Sequence, residues 1–355
     1  MAVNYKQELT SLVDVVLNSD ASDLHFAVGH KPTIRVTGKL MAVDDRPVLT
    51  TEDVVGFGKA MMQEHHLKTY EEKLQVDFSY QSESGVRFRG HAFNQQGYPG
   101  IVMRFIPDEV KTIEDLSLPP ILYAFAQKRQ GFFLCVGPVG QGKSTTLAAM
   151  VQHINENRAE HIVTIEDPVE YIYKPKMSMV DQREVGVDTL TFEDGLHAAF
   201  RQDVNVILIG EMRSRETIAT AVTAAETGHL VLSTLHTNNA AQSINRIIDS
   251  VPAEAQDQIR IQLAGSLIGI FSQRLIPRTD GGRVPAFELM VNNTAIANLI
   301  REDRVHEINS VIETGLEHGM IDMNRSLVDL VKKGIITVED AFAHSFNPKA
   351  LERLI

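Results

Sequence analysis

The stretch that most constrains this chain is residues 131–146, GFFLCVGPVGQGKSTT. Residues 132–136 form a short apolar run that predicts a buried strand, and a helical pattern begins at Lys143. The segment between them fits G-x-x-x-x-G-K-[ST] and consists of Gly137, Pro138, Val139, Gly140, Gln141, Gly142, Lys143 and Ser144. Such a loop turns backbone N–H groups toward a phosphate, and the helix N-terminus beyond it favours negative charge. The sequence therefore predicts a nucleoside triphosphate site.

Three side chains of this segment are expected to meet the nucleotide or its metal. Lys143 is placed to reach the β and γ phosphates, and the Ser144 hydroxyl is placed to ligate Mg²⁺. Thr145, the next residue, is expected to contact the nucleotide as well. ATP and Mg²⁺ are therefore the predicted ligands.

Length and composition restrict the remaining possibilities. A chain of 355 residues suggests two domains, and its net charge of −12 argues against nucleic acid as a specific partner. The one cysteine, Cys135, excludes a disulfide framework or a cysteine-ligated zinc site within the chain. The N-terminus lacks an apolar signal core, and the most apolar stretch, residues 261–271, is too short to span a bilayer. A cytoplasmic location is expected, and this location is compatible with docking on a membrane assembly.

The first third of the chain predicts an α+β domain built on an antiparallel sheet. Helical spacing of apolar residues predicts a helix over residues 5–18, and a second helix is expected after the start signal at residues 50–53. Strand-like runs occupy residues 22–26, 33–36, 76–80, 86–95 and 101–106. Residues 1–106 are the predicted domain, and the Pro- and acid-rich residues 107–120 are the predicted linker.

Basic side chains share one face of two of these strands. Arg87, Arg89 and His91 alternate with apolar residues, and Arg104 lies on the next strand. Such a row is commonly only a solvated strand face. Because guanidinium groups match phosphate oxygens, and a nucleotide site exists elsewhere in the chain, we expect the arginines to meet a phosphate across a subunit boundary.

Strands and helices alternate after the phosphate loop, which predicts a mainly parallel sheet flanked by helices. Apolar strands end at Glu166, at Gly210-Glu211 and at His236. Ligands of such sheets lie beyond the carboxyl ends of the strands, so these residues are expected at one edge with the phosphate loop. Residues 121–290 are the predicted core, and residues 291–355 a helical C-terminal region.

Hydrolysis suggests a role for each residue at this edge. Glu166 is expected to orient and activate the attacking water, and Glu211 to hold Mg²⁺ through water. Gly210 occupies the position where a direct acidic ligand is usual, so the two glutamates could exchange roles. His236 is expected to sense the γ phosphate or to report across the subunit interface, and His229, which opens the same strand, has a weaker claim to nucleotide contact.

Together these motifs resemble the secretion ATPase superfamily, and most closely the type IV pilus retraction (twitching motility) ATPases of the PilT family. The similarity covers nearly the whole chain. The matching segments are Ala21-Ser22-Asp23-Leu24-His25, Arg35-Val36-Thr37-Gly38, Arg87-Phe88-Arg89, Arg104-Phe105-Ile106-Pro107, Thr164-Ile165-Glu166-Asp167-Pro168, Gly210-Glu211-Met212-Arg213, Thr227-Gly228-His229, Thr234-Leu235-His236-Thr237 and Ala295-Ile296-Ala297-Asn298-Leu299-Ile300-Arg301-Glu302.

The resemblance implies a PAS-like domain, a RecA-like P-loop ATPase core and helices that couple ATP hydrolysis to movement. It also implies a homohexamer whose sites are completed by a neighbour's arginines, located at the cytoplasmic face of the inner membrane. The implied partners are an inner-membrane pilus platform protein and a paralogous pilus ATPase.

Three departures bear on this assignment. Ala297 stands where the retraction motif normally has arginine, Gln141 replaces a small residue of the phosphate loop, and Gln202 with Asn205 replaces an acidic pair. The zinc-binding tetracysteine insertion of assembly and type II secretion ATPases is impossible with one cysteine, which favours retraction. The alternatives are an accessory, nucleotide-gated paralogue with little turnover and a pilus assembly or type II secretion ATPase. A DNA-translocating ring is disfavoured because the chain is acidic.

Overall fold

The structure, a computed structural model, describes residues 4–36, 38–106 and 109–355. The chain divides into two compact units. The first comprises Met1–Glu109 with Pro168–Ile172, and the second Val110–Asp167 with Tyr173–Ile355. Part of the predicted linker, residues 107–108, lies outside the described residues, and the predicted domain boundaries stay a prediction.

In the described residues of the first unit, three helices and six strands form an α+β arrangement. They are α1 (Tyr5–Asn18), β1 (Ala21–Ala27), β2 (Thr33–Val36), β3 (Lys39–Ala42), α2 (Thr51–Met61), α3 (Glu64–Lys73), β4 (Gln75–Gln81), β5 (Arg87–Gln95) and β6 (Tyr98–Ile106). The sheet order is β3-β2-β1-β6-β5-β4, and every neighbouring pair is antiparallel. The predicted antiparallel sheet is confirmed, whereas β3 was not predicted.

Local sequence signals explain where the helices of this unit begin. Asn4 caps α1 by accepting a hydrogen bond from the backbone N–H of Gln7. The predicted start signal of α2 is a capping box, in which Thr50 and Asp53 bond each other's backbone N–H groups. The apolar stripes of α1 and α2 then bury against one face of the sheet.

The other face of the sheet carries a row of charged side chains, set by strand register. Arg89 lies opposite Arg104, Arg104 opposite Asp23, and Asp23 opposite Arg35. Along β5 these polar positions alternate with buried ones, such as Phe88. The predicted common face of the arginines is therefore present.

The second unit contains the phosphate loop, a seven-stranded sheet and most of the helices. Its elements are α4 (Ile121–Ala126), β7 (Gly131–Val136), α5 (Lys143–Asn157), β8 (His161–Glu166), β9 (Met179–Glu184), α6 (Phe192–Ala199), β10 (Val206–Ile209), α7 (Arg215–Glu226), β11 (Leu230–Leu235), α8 (Ala240–Ile248), α9 (Ala253–Ser266), β12 (Leu267–Pro277), β13 (Arg283–Val291), α10 (Thr294–Arg301), α11 (Ile308–Thr314), α12 (Met323–Lys332), α13 (Val338–His344) and α14 (Pro348–Glu352).

The sheet of this unit is mainly parallel. Its order is β13-β12-β7-β11-β10-β8-β9, and only β13 runs antiparallel to its neighbour. β7, β10 and β11 are buried at every residue, because helices cover both faces of a parallel sheet. The predicted fold class is confirmed, although β9, β12 and β13 were not recognised in the sequence.

The C-terminal region consists of short helices that begin with clear signals. The side chains of Asn293, Asp322, Thr337 and Asn347 cap α10, α12, α13 and α14. In α10, Leu299 and Ile300 are buried, while Arg301 is exposed and bonds Asn298 at 2.6 Å. Among the described residues, no helix combines the length and apolar character needed to cross a membrane.

Candidate functional site

Two glycines of the phosphate loop are required by its geometry. Gly137 has φ 149° and Gly142 has φ 78°, both in the region that favours glycine. A Cβ at Gly137 would lie 2.6 Å from the carbonyl oxygen of Gln273, and one at Gly142 would lie 2.9 Å from Gln273 Nε2. The loop is therefore packed tightly against β12, and α5 starts at Lys143 as predicted.

The side chain of Lys143 lies over the loop that precedes it. Its Nζ donates hydrogen bonds to the carbonyl oxygens of Gly137 at 2.8 Å and Pro138 at 2.9 Å. Lys143 is 7% exposed, whereas Ser144 is exposed and Thr145 half-buried. A buried ammonium group beside exposed hydroxyl and backbone donors suits a phosphate ligand.

A pair of glutamines joins the phosphate loop to β12. Gln141 Oε1 accepts a hydrogen bond from the backbone N–H of Leu275 at 2.7 Å, and Gln273 Nε2 donates to the carbonyl of Gln141 at 2.8 Å. Gln273 Oε1 accepts from the Thr146 hydroxyl at 2.7 Å. Gln141, a departure from the family pattern, thus holds the loop in place. Sequence reasoning missed Gln273, because no local signal marks a partner so far along the chain.

Three predicted residues meet in a chain of polar contacts at the carboxyl edge of the sheet. Lys143 Nζ lies 3.4 Å from His236 Nδ1, and His236 Nε2 lies 3.4 Å from Glu211 Oε2. Arg213 Nη2 lies 2.6 Å from the other carboxylate oxygen, Glu211 Oε1. These partners fit the histidine tautomer with its proton on Nε2, so that Nδ1 accepts from lysine while Nε2 donates to glutamate.

Glu166 lies at the same carboxyl edge of the sheet, at the end of β8, which is the neighbour of β10. The Thr164 hydroxyl donates to Glu166 Oε1 at 2.6 Å, and Gln182 Nε2 lies 3.4 Å from the same oxygen. Because Ile165 pairs with Ile209, the ends of β8 and β10 place Glu166 beside Gly210. The phosphate loop and the three predicted strand-end residues therefore share one edge.

Two buried charged residues lie behind the loop that carries His236. Glu288 Oε1 accepts hydrogen bonds from the backbone N–H of Ala240 at 2.8 Å and from the Ser272 hydroxyl at 3.2 Å. Burial raises the pKa of Glu288 to about 7; both hydrogen bonds and Arg274 oppose that rise, and Asp322 adds to it. Burial also lowers the pKa of Arg274. Neither residue was predicted.

The raised pKa of Glu288 predicts a pH-dependent stability. Its folded form holds a proton that the unfolded chain releases near pH 4.5, so stability falls as the pH rises from there through about 7. The loss is on the order of 3 kcal/mol. Glu288→Gln keeps an acceptor oxygen but does not titrate, so its melting temperature should fall less between pH 5 and pH 8 than that of wild type.

The matched control for this measurement is Glu254→Gln, which alters an exposed carboxylate in the first turn of α9. Its pH–stability curve should coincide with that of the wild type. Parallel curves for the wild type and Glu288→Gln would contradict a proton on Glu288.

The other predicted site residues lie elsewhere. His229 precedes β11, whereas His236 follows it, so the two lie at opposite edges of the sheet. His229 Nδ1 donates to the carbonyl of Ala224 at 3.0 Å, and its ring contacts Phe200 edge-on. Arg87, Arg89 and Arg104 belong to the first unit.

Ion pairs fix two of these arginines. Arg104 Nε lies 3.0 Å from Asp23 Oδ1, and the Asp23 carboxylate is nearly buried. Arg89 Nη1 lies 3.0 Å from Glu170 Oε1. Neither acidic partner was predicted, because register and chain path bring residues 81 positions apart together.

The donor atoms at the edge fit Mg²⁺ only as part of a nucleotide complex. No group of three or more His, Cys, Asp or Glu side chains within the described ranges could hold a metal ion. The Ser144 hydroxyl and the Glu211 carboxylate are hard oxygen donors of the kind that Mg²⁺ takes, with phosphate and water oxygens completing its shell.

The phosphate loop, the parallel sheet and the carboxylates at its strand ends define a P-loop ATPase. The chain belongs to the type II/IV secretion system protein family, whose model matches residues 4–342. The resemblance inferred from the motifs is confirmed.

Individual relatives cover most of the chain. It is 44% identical to the type IV pilus retraction ATPase PilT of Pseudomonas aeruginosa over 334 residues, which are 94% of this chain and 97% of the relative. It is 40% identical to the type IV pilus ATPase PilU of the same species over 352 residues, 98% of this chain and 91% of the relative. The crystal structure of the pilus retraction motor PilT with bound ADP matches with a TM-score of 0.89 at 45% identity, covering 97% of this chain and 98% of that one.

Proposed function

We propose that this ATPase powers retraction of type IV pili by hydrolysing ATP within a ring of six copies. The observation that carries the proposal is the near full-length 44% identity to a pilus retraction ATPase. The contact chain from Lys143 through His236 to Glu211 supports it, because it joins the phosphate loop to two strand ends. Its proposed place is the cytoplasmic face of the inner membrane, bound to the pilus platform protein.

The roles of the site residues follow from where they lie. ATP is the substrate, and the backbone of residues 137–145 with Lys143 binds its phosphates. Mg²⁺, when bound to the phosphates, neutralises charge that develops on the transferred group. The Ser144 hydroxyl and, through water, the Glu211 carboxylate would hold the bound Mg²⁺. Glu211 suits this role because it lies in the same contact chain as Lys143.

We assign Glu166 to the attacking water. Its carboxylate accepts hydrogen bonds from the Thr164 hydroxyl and the Gln182 amide, and these two donors orient it at the end of β8. His236, which touches both Lys143 and Glu211, reports the state of the γ phosphate to the loop that follows β11.

Arg87, Arg89 and Arg104 act on the nucleotide of a neighbouring subunit, and their placement in a separate unit supports this contribution. His229 lies at the opposite edge of the sheet from His236 and keeps the weaker claim to nucleotide contact. Helix α10 transmits the movement that ATP hydrolysis drives. Ala297 in this helix is 9% exposed and packs in the core, so this departure from the retraction motif lies on the buried side of α10.

A second candidate function is an accessory pilus ATPase with little turnover of its own. In its favour, the chain also aligns over 98% of its length, at 40% identity, with PilU, whose name specifies a type IV pilus ATPase without specifying retraction. Steady-state ATP hydrolysis by the purified ring separates the two functions, since only a motor that turns over independently shows robust activity without a partner ATPase.

The cellular test is deletion of the gene. Cells without a retraction motor should carry more surface pili and lose twitching. The wild-type gene and Lys128→Ala, a change of an exposed lysine outside the site, should restore movement, and Lys143→Ala should not. Normal twitching of the deletion strain would contradict retraction, and restored twitching with Lys143→Ala would contradict the need for ATP.

A further inference from the structure

Arg274 is a buried arginine that contacts both segments of the site. It lies on β12 and is 7% exposed. Its Nη2 donates to Asn238, to the side-chain Oδ1 at 2.9 Å and to the backbone carbonyl at 3.3 Å. Asn238 lies two residues after His236. The guanidinium group therefore fixes the loop that carries His236.

The same guanidinium group borders the phosphate loop. Its Nη1 donates to the carbonyl of Gln273 at 2.8 Å, and a Cβ on Gly137 would lie 3.1 Å from this nitrogen. Gly137 is also a carbonyl partner of Lys143. The guanidinium group thus borders both the first residue of the phosphate loop and the loop after β11.

The C-terminal region covers the guanidinium from another side. The carbon Cζ of Arg274 lies 5.1 Å from the centroid of the Phe346 ring. Arginine binds aromatic rings at this distance. Residues flanking Phe346 are tied to the buried Asn324 of α12: the Ser345 hydroxyl donates to its Oδ1 at 2.7 Å, and its Nδ2 donates to the carbonyl of Asn347 at 2.9 Å.

We propose that Arg274 is a positioning residue for ATP hydrolysis, which connects the C-terminal segment around Phe346 to the loop that carries His236. It touches no reacting atom. It sets the place of His236 through Asn238, and Phe346 sets the place of its guanidinium. Movement of the C-terminal segment during the motor cycle then changes the place of His236 and, with it, the rate of hydrolysis. This inference rests on the proposed role of His236.

The test compares kcat and KM for ATP in full-length variants. Arg274→Lys keeps the positive charge but loses the planar fork, and kcat should fall by about 10-fold or more while KM changes by less than about twofold. Phe346→Ala removes none of the hydrogen-bond partners of Arg274, and kcat should fall by about two- to fivefold. Phe342→Ala is the matched control, because Phe342 lies on α13 with a similar exposure, 36% against 40% for Phe346.

The decisive readout is a double-mutant cycle with His236→Ala, measured in single turnovers. If Arg274 acts through His236, neither Arg274→Lys nor Phe346→Ala should lower the rate further in that background. If the fold-losses in rate of the single variants multiply in the double variants, the link is overturned. Equal losses of kcat in Phe346→Ala and Phe342→Ala would also overturn it. If Arg274→Lys does not fold, the Phe346 cycle decides alone. Wild-type turnover in His236→Ala would instead refute the proposed role of His236 and, with it, the link.

Discussion

Replacing Lys143 with alanine is expected to lower kcat for ATP hydrolysis by about 10²–10³-fold or more while the protein stays folded. The Lys143 ammonium group is buried and lies within 2.9 Å of two phosphate-loop carbonyls. As the γ phosphoryl group is transferred, negative charge grows beside the Lys143 ammonium group. An alanine side chain supplies no positive charge to stabilise that negative charge. Phosphate release at saturating ATP measures the effect.

The matched control is Lys128→Ala, which removes an exposed lysine from the same unit and should hydrolyse ATP at the wild-type rate. Thermal unfolding with and without ATP separates lost binding from lost catalysis. A ligand at one hundred times its Kd stabilises the folded state by about 2.7 kcal/mol. Turnover by Lys143→Ala near the wild-type rate would show that the phosphate loop is not the catalytic site.

The sequence alone predicted the residues of the candidate site that lie at strand ends. Phosphate-loop spacing, apolar strands and the polar residues that follow them are local signals. Because parallel strands align their carboxyl ends, these signals also predicted that Glu166, Glu211 and His236 would lie at one edge of the sheet. The 3.4 Å distance between Glu211 and His236 was not itself predicted.

The supporting contacts were not predictable in the same way. Gln273 holds Gln141 across 132 positions, and Arg274 holds Asn238 across 36. Both lie on β12, which pairs with the distant strand β7 as well as with β13, the next strand in the chain. Periodicity identifies a strand face but not its partner strand, so the residues behind the site emerge only with the fold.

The arginines of the first unit illustrate the same limit. Alternation along β5 predicted that Arg87, Arg89 and His91 share a face, and strand register places Arg104 opposite Arg89. Their ion pairs with Glu170 and Asp23 depend on tertiary structure. The carboxylate of Asp23 holds Nε of Arg104, while the side chain remains 69% exposed. An exposed guanidinium group that is oriented by a carboxylate at Nε can bind a further anion through its terminal nitrogens.

We expect Arg89 and Arg104 to act on the ATP of a neighbouring subunit. An arginine supplied between subunits stabilises charge in the transition state and contributes on the order of 10³–10⁵ in rate. Rings of Arg104→Ala alone should therefore hydrolyse ATP slowly, and so should rings of Lys143→Ala alone. Mixed rings should regain activity, because some interfaces then pair an intact phosphate loop with an intact arginine donor.

The mixing result depends on subunit exchange, so exchange is measured in parallel with differently tagged subunits. A mixture of two Lys143→Ala preparations with the same two tags is the control and should stay inactive. If subunits exchange and mixing restores no activity, the arginines act within their own subunit or only form a solvated strand face.

Restored activity, by contrast, means that each site is complete only when two subunits meet. Hydrolysis is then fast only while the interface is closed, and each catalytic event requires the first unit of one subunit to approach the phosphate loop of the next. Such a requirement is what makes a ring of ATPases a motor rather than six independent enzymes.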